Sequence, residues 1–194
     1  MSTGLFLSIE ESFIPEARSN ALALVQAVND VLTRLQLPPI TDRPEGPHIC
    51  TGRTGLDHIG SRTLAELGER GGDARNHVQL LSFNPYRLVY VPRRFAETQV
   101  TPYEECIAGQ DVKILCGSSV LLLEQLLLMA PELGIPLSDG ALGDDVASKI
   151  DMMNELRDGE SDWELIENAR VAWLILHEAA LLSIGEDVPI SLAG

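Results

Sequence analysis

Residues 111–136, DVKILCGSSVLLLEQLLLMAPELGIP, constrain the fold of this chain more than any other stretch. An apolar run of strand length reaches Gly117-Ser118-Ser119 and passes into a helix that is apolar on nearly every side, ended by Gly134 and Pro136. A second helix of the same kind runs through SDWELIENARVAWLILHEAALLSI, where twelve of the sixteen residues 169–184 are apolar. Helices of this composition must be covered on most sides. Neither reaches the ~18 apolar residues that span a bilayer, because Glu124-Gln125 and His177-Glu178 interrupt them. They therefore call for a protein core with a sheet beside them.

The remaining elements follow from periodicity and breakers. GLFLSI reads as a first strand. PEARSNALALVQAVNDVLTRLQL reads as a helix with Leu24, Val28, Val31, Leu32 and Leu35 on one face, stopped by Pro38-Pro39. HVQLLSF and RLVYV flank Asn84-Pro85-Tyr86 as a hairpin, with Pro92 ending the second strand or placing it at an edge. Residues 95–110 read as a polar connection, residues 142–157 as a helix, and VPISL as a closing strand. Strands and helices mix without a regular βαβ alternation. The expected class is α+β, a small mixed sheet with a central hairpin under about five helices, with α/β as the alternative.

The chain has 194 residues, 45% apolar and 22% charged, which suits one globular domain over residues 1–194. MSTGLFLSIEESF lacks the basic start and apolar core of a secretory signal, and three cysteines (Cys50, Cys106, Cys116) make no paired framework. Both point to the cytoplasm.

Charge is the most distinctive bulk property. Residues 1–94 hold 10 basic and 10 acidic side chains, whereas residues 95–194 hold 4 basic and 19 acidic, so the second stretch carries the whole net charge of −15. Such a field repels nucleic acid and anionic membranes and attracts a basic protein surface.

Motifs are incomplete. Cys116-Gly117-Ser118-Ser119-Val120 has the strand-to-helix setting of a nucleophile elbow, but Val120 and Leu121 occupy positions that require small residues. No lysine follows, as a phosphate-binding loop would need; Ser118 reads as a helix cap. His177-Glu178 opens like a zinc-protease helix, but Leu181 replaces the second histidine, so no metal is expected. A buried cation and imidazole need partners, so Glu124 is expected to pair with Arg170 or His177, unless Ser118, Gln125 and Glu132 mark a solvated stripe. The Gly- and Pro-rich stretch 41–60 gathers Arg53, Asp57 and His58 as candidate ligand-binding residues.

Three functional readings follow. The first is an acidic protein-interaction domain, such as an inhibitor, immunity-type protein or adaptor, meeting a basic partner through residues 95–194, with neither nucleic acid nor membrane involved and with a homodimer as a further way to cover its apolar helices. The second is a small-molecule enzyme or ligand-binding domain using residues 41–60. The third is an acidic mimic of nucleic acid, which requires carboxylates laid out on one face. No cofactor is expected in any of them.

Overall fold

A computed structural model describes residues 2–13, 17–45, 56–57, 62–67, 78–81, 88–107, 110–138, 141–143 and 162–193. In chain order its elements are β1 (Ser2–Phe6), a 3-10 turn at Glu10–Ser12, α1 (Arg18–Arg34), β2 (Leu56–Asp57), α2 (62–67), α3 (Val78–Leu81) and β3 (Leu88–Val91). They continue as β4 (Gln99–Ile107), β5 (Gln110–Ser118), α4 (Ser119–Met129), β6 (Leu137–Ser138), β7 (Ala141–Leu142), α5 (Asp162–Glu186) and β8 (Ile190–Ala193).

Five strands form a mixed sheet in the order β1-β8-β3-β5-β4, with the two-residue β2 on the outer side of β1 and β6-β7 as a separate short pair. Among the described strands only β3 and β5 run parallel, with Leu88 opposite Leu115 and Val91 opposite Ser118. The α+β class holds. Among the described residues four helices run longer than one turn, against about five expected. Of the helix expected at 142–157, Leu142 pairs as strand in β7 and residues 144–157 lie outside the described residues.

The expected hairpin is corrected. Val78–Leu81 is a helical turn, and β3 is a central strand between β8 and β5. Its LVYV run is buried on both sides, and a doubly covered strand shows no apolar alternation. The hairpin of the main sheet, among the described residues, is β4–β5, and its first strand lies inside what reads as a polar connection. Its edge position explains the disguise: β4 carries Pro102 and Glu104-Glu105, which suit a sheet edge, and its register with β5 breaks between Val100 and Glu104. Because β5 returns between β4 and β3, a parallel pair arises with no crossover helix.

Each face of the sheet has its own core. Leu88 and Tyr90 point to α4 and α5, joining Leu122, Leu126, Met129, Trp173 and Leu176. Val89 and Val91 point to α1, joining Leu24, Val28, Val31 and Leu32. Trp173 is fully buried and donates its indole N–H to the Leu126 carbonyl at 2.7 Å, fastening α5 to α4. Helices α1 and α5, and the turn of residues 130–134 that follows α4, close in the same way. A left-handed residue (Gln36, Gly134 or Asp187) lets the next N–H reach back five residues, from Leu37 to Leu32, Ile135 to Ala130 and Val188 to Ser183. The α1 helix thus ends before Pro38-Pro39 through its own cap.

Candidate functional site

The Gly117-Ser118-Ser119 junction is structural. The Ser118 hydroxyl accepts the Leu121 N–H at 3.2 Å, as a helix cap does. Ser119 meets the Ser183 hydroxyl at 2.9 Å, and Ser183 donates to the Val188 carbonyl. Both junction serines are fully buried, out of reach of a substrate. Gly117 is required by its neighbours: a Cβ there would lie 2.7 Å from Gln79 Oε1 and 2.7 Å from Tyr90 Cδ1.

That crowding belongs to a buried amide network. Gln79 Oε1 accepts the Ser118 N–H at 2.8 Å, and its amide nitrogen donates to the Ala96 carbonyl at 3.2 Å. Gln125 Oε1 accepts the N–H groups of Gln79 and Leu80 at 3.1 and 3.0 Å. Two glutamines therefore satisfy backbone groups that α3 and β5 would otherwise bury unpaired. The Tyr90 hydroxyl donates to the Gln79 carbonyl, and burial pushes its pKa up.

The expected pairing of Glu124 with Arg170 or His177 is not what the structure shows. Neighbours in sequence, Glu124 and Gln125 take different sides of α4, the first exposed and the second buried. Glu124 forms an ion pair with Arg94. Arg170 donates to the Leu133 carbonyl at 2.7 Å and pairs with Glu167 on its own helix. His177 is buried and stacks on Trp173 with ring centroids 4.6 Å apart. The solvated stripe fails too, since Ser118 and Gln125 are buried. Arg93 joins three elements, donating to the Pro38, Pro39 and Pro92 carbonyls and pairing with Asp187, whose carboxyl it holds below its ordinary range. The Arg93-Arg94 doublet serves internal ion pairs.

Of the 41–60 candidates, Arg53 and His58 lie outside the described residues, and Asp57 stands opposite Ser2 in the β1–β2 pair. An open hollow of about 270 Å³ is lined by Glu10, Ala21, Leu22, Val25, Ile40, Thr41 and Asp42. The Asp42 carboxylate is already engaged there, accepting Ser8 Oγ and the Ile9 and Glu10 N–H groups. Cys116 is buried and its thiol pushed up to about 12, which keeps it protonated and unreactive. Among the described residues no group of three or more His, Cys, Asp or Glu is placed to hold a metal ion, and no helix is long and apolar enough to cross a membrane.

On the described surface the exposed carboxylates are Asp30, Glu45, Glu97, Glu124, Glu132, Glu186 and Asp187, and the exposed cations are Arg34, Arg43, Arg62, Arg94 and Lys113. A family model described as "Putative DNA-mimic protein" matches residues 57–192, 136 of the 194 residues. The chain belongs to this family. Neither a curated protein nor a solved structure matches it. The matched segment holds 23 acidic and 10 basic residues, so it carries −13 of the net −15.

Membership corrects the partner expectation. A protein partner agrees with the family; the exclusion of any link to nucleic acid, argued from the repulsion between carboxylates and phosphates, does not. The negative charge that repels phosphates is the charge that phosphates carry, so a family described as DNA-mimic is linked to nucleic acid by that description.

Proposed function

We propose that this protein binds a DNA-binding protein at the surface that protein uses for DNA, and so competes with DNA for it. The observation that carries the reading is the coincidence of family membership with the charge: the segment matching the DNA-mimic family is the one that holds −13 of the −15 charges. Proteins that hold DNA do so largely with Lys and Arg set against phosphates. A rigid scaffold bearing carboxylates offers those cations an alternative without the counterion atmosphere of a duplex. The two cores on either face of the sheet, the amide network and the capped ends of α1 and α5 supply that rigidity. The setting implied is the cytosol, where DNA-binding proteins work.

The test is displacement. Proteins of the host retained on double-stranded DNA-cellulose are washed with increasing concentrations of the purified chain at constant ionic strength. Release of a discrete protein, at concentrations where an unrelated protein of equal net charge releases none, is the expected result. Release of nothing, or equal release by the unrelated acidic protein, refutes the reading.

A further inference from the structure

The last two turns of α5 break several rules of helix stability together. Leu181 and Ile184 are 49% and 37% exposed. Gly185 sits in the final turn with nothing within 4 Å of where a Cβ would be, so alanine would fit and glycine is the less stable choice there. Glu186 lies at the helix C-terminus, and the last turn holds no basic residue, although helix ends of that polarity favour cations. The rest of the helix end is well made: Ser183 and Val188 are buried and close the cap, and Arg93 holds Asp187. The unfavourable choices are thus confined to the outward side.

Local costs on an otherwise well-formed element mark a surface kept for a partner. The chemistry of that partner follows from charge complementarity. An exposed carboxylate, the negative end of a helix and two adjacent aliphatic side chains together fit a lysine or arginine. Its stem would lie along Leu181 and Ile184 and its charged head against Glu186 and the helix end. Two cations act on Asp187 at this end, Arg93, which Asp187 and three backbone carbonyls already engage, and Arg43, while Glu186 is the carboxylate on the outward side.

We infer that the C-terminal turns of α5, through Leu181, Ile184, Gly185 and Glu186, receive a cationic side chain from the DNA-contacting surface of the partner. This rests on the proposed function and adds to it an apolar contact that DNA itself lacks. Binding should therefore outlast ionic strengths that strip the same protein from a duplex.

The test uses the DNA-cellulose displacement with four variants of the full chain. Leu181→Ala with Ile184→Ala changes no charge; Gly185→Arg places a cation where there is room for it. Glu186→Gln is matched by Asp30→Asn, an equal loss of charge at an exposed position on α1, across the sheet. The expected result is that the double variant requires about tenfold more protein for the same release, that Gly185→Arg releases nothing, and that Glu186→Gln weakens release more than Asp30→Asn. If the double variant and Gly185→Arg release like the parent, or the two charge variants weaken it equally, bulk charge alone governs binding and the inference falls while the proposed function stands. If the parent chain releases nothing, both fall. Circular dichroism melts accompany each variant, and Gly185→Arg decides the matter should the double variant unfold.

Discussion

Gly117→Ala is the most demanding test of the buried junction. The added methyl would meet Gln79 Oε1 at 2.7 Å and the Tyr90 ring at 2.7 and 2.8 Å, closer than Cβ contacts in folded proteins allow. Neither neighbour can retreat freely. Gln79 is held by its own N–H, its carbonyl and both ends of its side chain, and Tyr90 is fully buried in a central strand. Overpacking of this kind costs about 1–3 kcal/mol. Displacing Gln79 Oε1 also strands the buried Ser118 N–H, at about 1–3 kcal/mol more. Their sum, roughly 2–6 kcal/mol, corresponds to a fall in Tm of roughly 4–24 °C for a chain of this size. Ser118→Ala removes only a cap and should cost about 1 kcal/mol. Urea unfolding followed by circular dichroism measures both. A Gly117→Ala variant within about 0.5 kcal/mol of the parent, below the cost of even one lost buried hydrogen bond, would show that the network does not hold the junction as described.

Two further outcomes are expected. Burial lowers the pKa of His177 from its ordinary 6.5, an effect that Glu178 partly opposes. Below pH 6.5 the unfolded chain therefore takes up a proton that the folded chain refuses, so stability should be level above that pH and decline as pH falls through it, until the folded histidine protonates as well. His177→Phe, which retains the stack on Trp173, should flatten this part of the urea-midpoint profile; an identical profile in the variant would refute the assignment. Gly185→Ala should stabilise the chain by about 0.5–1 kcal/mol, read from the same urea midpoint, and a loss instead would mean that the end of α5 is covered.

Much of the architecture is legible in the sequence where one physical signal dominates. The strand-turn-helix at residues 111–136, the two apolar helices and the first and last strands are marked by long apolar runs and clear breakers. Ser118 reads as a cap from its position alone. The errors fall where tertiary context overrides local pattern. VQLL has strand-like composition, yet it is a helical turn because Gln125, 45 and 46 residues away, accepts its N–H groups. β4 hides behind Pro102 and its glutamates because an edge strand need not look apolar. Glu124 and Gln125 look like one polar pair, but their 100° separation around the helix sends one to Arg94 and the other into the core. Of the functional reading, the charge asymmetry is visible at once. No short motif distinguishes carboxylates kept for solubility from carboxylates that imitate phosphates; the family match over residues 57–192 is what favours the second reading proposed above.

The most direct test of the central claim is mutual exclusion. The protein released from DNA-cellulose is mixed with a fluorescently labelled duplex, and the anisotropy is followed as the chain is added. Competition predicts that anisotropy falls to that of free duplex, that the apparent Kd for DNA rises linearly with the concentration of chain, and that the chain alone leaves free duplex unchanged. A ternary complex, seen as anisotropy that holds or rises while the chain binds, would contradict it.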